Sequence, residues 1–462
     1  MLFSSLLERF VKQAPIAVLA HSTIVYALNA TSLDNLFREH ASAQYEHKLT
    51  FSSLVELLSL VVCRIYRSVN SAYTKSREKL GASLTAVYGK LSRMELPILT
   101  ALVSDTAQRL TAVVRELGAD LPSPIPGYRV KIVDGNHLAA TERRLQELRG
   151  QAAAPLPGQA LVVYDPQLDL MTQIIPCEDG HAQERSLLAQ VLPLVGKGEV
   201  WIEDRNFCTT AFVFGIAARQ AYFLIRQHAG NLHWEELSEW TRCGRCATGD
   251  VYEQSVRLGT EDGRELACRR IRLQLDQPTR DGDTELYVLT NLPKAVKAVV
   301  VATAYRGRWT IEVGFHKLAT VLESEIDTLA YPKAALFGFA VGVAAYNVLS
   351  VVQAALRSER GKEQVQQEVS TFHIAEELSA VSEGMKIAIP KATWSRIANL
   401  TVAEFARWLR EVARQADLGK YQKHPRGPKK KQKKPRPDKK KPHVATARLL
   451  KSRKLANAVC KY

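Results

Sequence analysis

Cysteine is scarce in this sequence, and several widespread enzyme motifs do not occur in it. Seven cysteines among 462 residues are too few for a scaffold held together by disulfides. The patterns G-x-x-x-x-G-K-[ST], G-x-G-x-x-G, H-E-x-x-H and G-x-S-x-G are all absent. Nucleotide hydrolysis by a P-loop, zinc proteolysis of the zincin type and serine hydrolysis therefore have no support in the sequence.

Long hydrophobic runs are also rare. The first residues, MLFSSLLERFVKQ, carry an acid and a base inside their apolar stretch, unlike a secretory signal peptide. The run from Ala335 to Val352 is only about the minimum length for spanning a membrane, and it contains Asn347. We therefore predict a buried core helix there, no membrane association, and a reducing, cytoplasmic setting.

A short cysteine pair in the middle of the chain allows two interpretations. Cys243 and Cys246 have the C-x2-C spacing of half a zinc site, with Cys268 or His233 as further candidate ligands. A second pair at matching spacing is missing. An ordinary turn is the simpler interpretation of this segment.

The excess positive charge of the chain is confined to its end. Residues 420–462 contain 17 of the 63 lysines and arginines and one acid, Asp438, so this segment accounts for the whole formal charge of +16. A run so rich in proline and lysine cannot bury a core, and we predict a disordered basic tail. Its expected partner is a nucleic acid, because lysines near phosphates release counterions. A solubilising tail without a specific partner is the alternative.

Hydrophobic periodicity divides the rest of the chain into helical and mixed regions. Apolar residues recur at helical spacing in the first region, whereas short β-rich runs and helical segments alternate in the second. β-rich runs separated by Gly/Asp turns then indicate an antiparallel insertion. The predicted fold class is an α/β core with an antiparallel β insertion, plus helical amino- and carboxy-terminal regions. The predicted regions are 1–122 (helical), 123–229 (first part of the core), 230–303 (β insertion), 304–360 (last part of the core), 361–419 (helical) and 420–462 (tail).

Two aspartates end β-branched runs. Asp134 closes KIVD, and Asp204 closes VWIED. Side chains alternate along a strand, so Glu203 is expected to point away from Asp204. A strand-ending aspartate often serves only as a turn former or helix cap, so neither residue alone indicates a site.

The segment YRGRWTIEVGFHK carries a third acidic candidate, Glu312. Tyr305, Arg308 and Glu312 are spaced i, i+3 and i+7, which places them within roughly 60° on one face of a regular helix. Apolar Ile311 and Val313 flank Glu312, so we expect an otherwise buried helix on which this carboxylate needs a cation or a hydrogen-bond partner. That partner is either Arg308, in a helix salt bridge, or a metal ion.

Phosphodiester cleavage benefits from a set of carboxylates of this kind. Two divalent ions about 4 Å apart can activate the attacking water and stabilise the leaving oxygen. Hard ions such as Mg²⁺ prefer carboxylate oxygens. Three carboxylates that converge from two strand ends and a helix would hold both ions.

The order VDG, EDRNF, a β-rich insertion and YRGRWTIE resembles the DDE transposases of bacterial insertion sequences, specifically the insertion-sequence-4 type. The resemblance covers about residues 128–350 and implies a ribonuclease-H-like catalytic core interrupted by a β domain. It implies that Asp134, Asp204 and Glu312 are the catalytic, metal-binding triad, with two Mg²⁺ ions or Mn²⁺ in their place. It also implies that Tyr305 and Arg308, in the Y-x2-R-x3-E signature, contact DNA near the cleaved end.

The same resemblance implies cutting at the terminal inverted repeats of a mobile element, transfer of the freed 3′ ends to target DNA, and a homodimer on paired ends. The helical region 1–122 is then the expected DNA-binding domain, in a bacterial, nucleoid-associated protein. Arg205, beside Asp204, completes the expected DNA contacts together with His316 and Lys317.

One position departs from the family's pattern, which usually has a lysine seven residues after the glutamate. Ala319 stands there; His316 lies on the correct helix face to substitute, whereas Lys317 lies about 140° further round from Glu312. Two alternative functions stay open: a DNA-binding copy with an inactive core, and a non-transposase nuclease on the same fold. Four further acids are either auxiliary carboxylates or turn and helix-start residues: Asp165, Glu178, Asp179 and Glu184.

Overall fold

The computed structural model describes residues 5–44, 48–138, 145, 154–228, 232–279, 282–424 and 443–459. The helices in these ranges are α1 (Ser5–Gln13), α2 (Pro15–Ala27), α3 (Ala30–His40), α4 (Phe51–Val62), α5 (Val69–Leu80), α6 (Leu84–Leu91), α7 (Leu96–Glu116), α8 (Leu188–Val191), α9 (Thr210–Ala218), α10 (Ala298–Arg306), α11 (Trp309–Thr320), α12 (Pro332–Arg360), α13 (Lys362–Glu368), α14 (Thr371–Ala388), α15 (Lys391–Ala398), α16 (Val402–Ala413) and α17 (Thr446–Val459).

The strands in the same ranges are β1 (Val130–His137), β2 (Ala154–Leu156), β3 (Gln159–Asp165), β4 (Leu170–Cys177), β5 (Val200–Glu203), β6 (Tyr222–Arg226), β7 (Trp234–Glu236), β8 (Thr241–Cys246), β9 (Gly249–Gly259), β10 (Glu265–Leu275), β11 (Glu285–Thr290) and β12 (His443–Ala445).

Ten of these strands form one mixed sheet. The strand order is β4-β3-β1-β5-β6-β11-β10-β9-β7, and β8 pairs with β9 outside this path. β1, β5 and β6 run parallel, whereas β3 is antiparallel to both β1 and β4. Because the carboxyl ends of parallel strands meet at one edge of a sheet, Asp134, Asp204 and Arg226 lie along the same edge. The mixed sheet with flanking helices agrees with the predicted α/β class.

The β-rich region predicted as an insertion continues the core sheet. β11 pairs antiparallel with β6, and β10 and β9 follow in turn. This pairing satisfies the backbone groups along the side of β6 that would otherwise form an open edge. The antiparallel strands are therefore present as an extension of the same sheet.

α12 is apolar on all sides and occupies the centre of the protein. It packs against α2, α4, α7, α16 and β4, as expected for a helix without a polar face. Among the described helices, Pro15–His40 and Pro332–Arg360 are long and apolar enough to span a membrane, and the apolar window of the second is 100% buried inside the protein. The buried core helix predicted over Ala335–Val352 is confirmed.

The Ala-Tyr-Asn sequence on α12 attaches this helix to the sheet. The Asn347 side chain accepts a hydrogen bond from the Met171 N–H and donates one to the Met171 carbonyl, both at 2.8 Å. The Tyr346 hydroxyl donates to Asp169 Oδ1 at 2.9 Å, in the turn between β3 and β4. Gly314 brings α11 close to the same strand, because a Cβ there would lie 2.7 Å from Met171 Cε. These contacts position α11 beside the end of β1.

Helices from the two ends of the chain pack together. α14, α15 and α16 contact α2, and α16 also contacts α7. The Trp408 indole N–H donates to Ser22 Oγ at 3.1 Å. Residues 1–122, predicted as a separate helical domain, therefore share a core with the region 361–419 and with α12.

The end of the chain differs from the predicted disordered tail. Residues 425–442 lie outside the described residues, but 443–459 form β12, parallel to β2, followed by α17. Apolar side chains of this segment pack against Ala330, and Arg448 forms a 2.7 Å ion pair with Asp179. The prediction of disorder is wrong for these residues because they find an apolar surface and an acidic partner in the catalytic region.

Candidate active site

The side chain of Arg308 joins two of the three predicted acidic residues. Its Nη1 donates to Asp134 Oδ2 at 2.7 Å, and its Nη2 donates to Glu312 Oε1 at 2.9 Å. The side chains of Arg308 and Asp134 are largely buried, with 10% and 15% of their surface exposed. The helix salt bridge between Arg308 and Glu312 is present, and the same guanidinium reaches the end of β1.

The signature residues do not lie on one continuous helix, as the sequence pattern predicted. α10 ends at Arg306 and α11 begins at Trp309. Between them the chain makes tight turns, in which the Arg308 N–H donates to the Tyr305 carbonyl and the Ile311 N–H donates to the Arg308 carbonyl. This interruption still leaves Tyr305, Arg308 and Glu312 on the side of the helix pair that faces the strand ends.

The environment of Glu312 is more open than predicted. Its side chain is 43% exposed, and the neighbouring Trp309 and Val313 are 59% and 55% exposed. α11 buries only its inward face, through Ile311, Gly314 and Leu318. The expectation of an otherwise buried helix is therefore wrong, because α11 lies at the margin of the sheet and leaves its outer face to solvent.

Asp134 is an acid held in an unfavourable place for a charge. Burial raises the pKa of its carboxyl to about 6, and the nearby Glu184 and Glu312 add to the increase, while Arg308 and the Gly135 N–H oppose it. The Gly135 N–H donates to Asp134 Oδ1 at 3.0 Å. Each of the two carboxylate oxygens therefore has one donor, yet the ionised form is disfavoured without further positive charge.

Asp204 lies close enough to influence the same arginine. Burial lowers the pKa of Arg308, but the negative charges of Asp134, Asp204 and Glu312, together with Tyr305, raise it above its ordinary value. Burial also raises the pKa of the Tyr305 hydroxyl, and Asp204 contributes to that increase. The three predicted carboxylates and Tyr305 thus surround one guanidinium.

Glu203, the neighbour of Asp204, lies on the other side of the sheet. It is fully buried, and burial raises the pKa of its carboxyl well above the ordinary value. Its charge acts on Cys208, which packs in the apolar cluster on the side of the sheet away from α11. The alternation of side chains along β5 therefore separates the two acids, as the sequence predicted.

The other predicted DNA-contacting residues lie around this group without joining it. His316 and Arg205 are exposed, and so is Ala319. The ammonium of Lys317 lies 5.7 Å from the centre of the Tyr346 ring. The structure therefore turns Lys317 towards α12, away from the carboxylates.

Two arginines near the site were not identified from the sequence. Arg226 ends β6 and pairs with Asp283 at 2.9 Å, and its charge lowers the pKa of Tyr305 against the stronger effect of burial. Its position follows from the parallel run AYFLIR, which ends at the same sheet edge as the two aspartates. Arg269 is buried and donates to the carbonyls of Pro293 and Val296 at 3.0 and 2.8 Å. It fixes the segment that leads into α10, and no local pattern reveals this role.

The acidic group suits a hard divalent cation in charge and donor type. Within the part of the chain that the structure describes, no three histidine, cysteine or acidic side chains lie close enough together to hold a metal ion, because Arg308 lies between Asp134 and Glu312. Asp134, Asp204, Glu312 and Glu184 nevertheless gather around a single arginine. This excess of carboxylate oxygens over positive charge is the environment that Mg²⁺ prefers.

The cysteine pair does not form the predicted turn. Cys243 and Cys246 lie on β8. Cys243 Sγ lies 3.5 Å from the Thr241 carbonyl, and Cys246 Sγ lies 3.4 Å from Thr248 Oγ1. Both are free thiols. Their contacts are ordinary strand and turn contacts, and they give the zinc interpretation no further ligand.

Comparison with known proteins agrees with this arrangement. Residues 125–348 match the family model described as the transposase DDE domain. A curated protein of Sinorhizobium fredii (strain NBRC 101917 / NGR234), "Putative transposase y4zB", is 28% identical over 158 residues, which are 33% of this chain and 42% of that protein. The chain thus spans less than half of the length of this relative. The matched family range includes all three predicted carboxylates.

We expect the substitution Arg308→Met to destabilise the metal-free protein in a pH-dependent way. At pH 7.5 the buried Asp134 carboxylate loses its cation, and the free energy of unfolding should fall by about 1–3 kcal/mol. The pKa of Asp134, already raised to about 6, rises further in the variant, so at pH 5 the carboxyl is neutral and needs no cation. The loss should therefore appear as the pH rises through about 6. Chemical denaturation in EDTA at both pH values measures it.

The matched control is Arg306→Met, which removes an exposed arginine two positions earlier in the chain. It should change the free energy of unfolding by less than about 0.5 kcal/mol. An equal loss at pH 5 and pH 7.5 in Arg308→Met would mean that the arginine stabilises the fold by packing rather than by neutralising Asp134.

Proposed function

Since this chain carries a transposase DDE domain over residues 125–348, we propose that it is an active transposase of the insertion-sequence-4 type. It cleaves DNA at the terminal inverted repeats of its element and transfers the freed 3′ ends to target DNA. The observation that carries this proposal is the convergence of Asp134, Asp204 and Glu312 on Arg308 at the edge of the sheet.

The sheet supports a ribonuclease-H-like core for this domain. β3, β1, β5 and β6 are neighbours in the order given above, with β1, β5 and β6 parallel. This places the first two carboxylates on adjacent parallel strands, where the backbone holds them at a fixed spacing. The third carboxylate arrives on α11, after the strands that extend the sheet.

Asp134, Asp204 and Glu312 are the residues that would hold the metal ions, two Mg²⁺ or Mn²⁺. Bound there, divalent ions supply activation of the attacking water and stabilisation of the leaving oxygen. The carboxylates contribute oxygen ligands from two rigid strand ends and one helix. A cation in this position neutralises Asp134, whose burial otherwise disfavours the charged form.

Arg308 and Tyr305 are positioned to contact the DNA phosphate next to the cleaved bond. Arg308 presents a fork of donors that suits a phosphate as well as a carboxylate. When a metal ion neutralises Asp134, the guanidinium becomes available to DNA without leaving an unpaired charge. Arg226 and Arg205 add positive charge at the same sheet edge.

The remaining parts of the chain have proposed roles around this centre. The helical region 1–122 recognises the element ends, and two copies of the chain hold paired ends as a homodimer. Residues 425–442 supply a basic segment that contacts phosphates without reading sequence. The protein acts in the bacterial cytoplasm, in association with the nucleoid.

The proposal is tested on a linear DNA fragment that carries the sequences flanking the protein's own gene. With Mg²⁺, the wild type should cut at the element ends, and Asp134→Asn, Asp204→Asn and Glu312→Gln should each reduce cutting at least about a hundredfold, because each loses a metal ligand. Binding to the same ends, measured by mobility shift, should persist in all three variants. Glu323→Gln, which alters a surface glutamate paired with Arg64, is the matched control and should cut normally.

Other outcomes of this assay identify the alternatives. Specific end binding without metal-dependent cutting in the wild type would favour an inactive DNA-binding copy, for which Ala319 is the observed departure. Cutting without joining and without preference for the ends would favour a nuclease. Normal cutting by all three variants would show that the metal site is assigned to the wrong residues.

A second prediction concerns the basic segment. Replacing the lysines between residues 429 and 441 by glutamine, while β12 and α17 are kept, should weaken binding to element ends and to unrelated DNA equally. The slope of log affinity against log salt should become shallower by up to about 0.9 for each phosphate that the variant no longer neutralises. Fluorescence anisotropy at several salt concentrations measures both quantities. Weaker binding confined to the element ends would mean that this segment reads sequence.

A further inference from the structure

Glu184 lies between the ends of β1 and β5, next to the predicted triad. One of its oxygens, Oε1, occupies the space beside Gly135, where a Cβ would lie only 1.9 Å from it. Gly135 directly follows Asp134, so the Glu184 carboxylate fills the position that any other residue type at 135 would require. The absence of a side chain at position 135 is therefore matched to the presence of this carboxylate.

The second oxygen of Glu184 is connected to the loop that carries the second aspartate. Asn206 Nδ2 donates to Glu184 Oε2 at 3.1 Å. Asn206 belongs to the short turn Arg205–Phe207 that begins directly after Asp204. One glutamate thus contacts the chain beside Asp134 and beside Asp204, on two neighbouring parallel strands.

A purely structural role does not require the negative charge of Glu184. A glutamine has the same shape, and its amide oxygen can accept the hydrogen bond from Asn206 equally well. A carboxylate placed beside Asp134 instead brings two like charges together, which is unfavourable unless a cation lies near both. Arg308, the cation already present, donates to Asp134 and Glu312 and makes no ion pair with Glu184 among the described residues.

We propose that Glu184 is a fourth carboxylate of the metal centre, which contributes an oxygen to a divalent ion held by Asp134, with Asn206 fixing its orientation. This inference rests on the proposed function, because it adds a ligand to the same site. It also assigns a role to Gly135, whose missing side chain admits the Glu184 carboxylate to the site.

The test is Mn²⁺ binding to the full-length protein without DNA, measured by the electron paramagnetic resonance signal of free Mn²⁺ at pH 7.5. Glu184→Gln should weaken Mn²⁺ binding by about tenfold or more and leave the thermal unfolding midpoint in EDTA unchanged. The matched control is Glu178→Gln, which neutralises a nearby glutamate that lies 3.9 Å from Lys333. It should bind Mn²⁺ like the wild type.

A second variant tests the geometry while every carboxylate is kept. Gly135→Ala introduces a Cβ that displaces the Glu184 carboxylate and should weaken Mn²⁺ binding to a similar extent. The double variant with Glu184→Gln should bind no more weakly than either single variant, because both remove the same ligand.

The outcomes separate this inference from the proposed function. If Asp134→Asn loses Mn²⁺ binding and Glu184→Gln does not, Glu184 is not a ligand, while the metal centre stands. If neither substitution changes Mn²⁺ binding, the metal centre itself is wrongly assigned and the inference fails with it. Additive losses in the double variant would overturn the link between Gly135 and Glu184.

Discussion

A single guanidinium, that of Arg308, holds the edge of the sheet and the α11 helix together at the candidate active site. Asp134 and Glu312 would repel each other if both were ionised without a cation between them, and Asp134 is largely buried as well. Arg308 offsets both costs by donating to one oxygen of each acid. The metal-free arrangement therefore depends on a positive charge at this point. In the proposed reaction a divalent ion takes over that charge, and the arginine is released to the DNA.

The rest of the fold keeps this point rigid. Asn347 and Tyr346 attach the central helix α12 to the Met171 backbone and to the turn between β3 and β4. Gly314 then allows α11 to approach Met171 closely. On the other side, buried Arg269 holds the backbone that leads into α10. The signature turn is thus fixed from α12, from β4 and from the extension of the sheet, which is how a surface-exposed glutamate keeps a defined position.

Sequence patterns predicted those parts of the site that depend on local rules. Strand alternation and parallel strand ends sufficed for Asp134 and Asp204, and motif order sufficed for the family that residues 125–348 match. The break at Gly307 and Arg308 escaped prediction because helical spacing continues through it. The exposure of Glu312 depends on where the sheet ends, and the ordered α17 depends on an ion pair between Arg448 and Asp179, which are 269 positions apart. Both are tertiary effects that no local pattern carries.

The central claim is that the acids around Arg308 form a metal site in which the arginine serves as the internal counterion. A crystal structure of the protein grown with Mn²⁺, with an anomalous difference map, tests it most directly. The account predicts anomalous density about 2.0–2.5 Å from carboxylate oxygens of Asp134 and Asp204, with Arg308 no longer bonded to Asp134. Anomalous density elsewhere, or none, with Arg308 still joining Asp134 to Glu312 would contradict it.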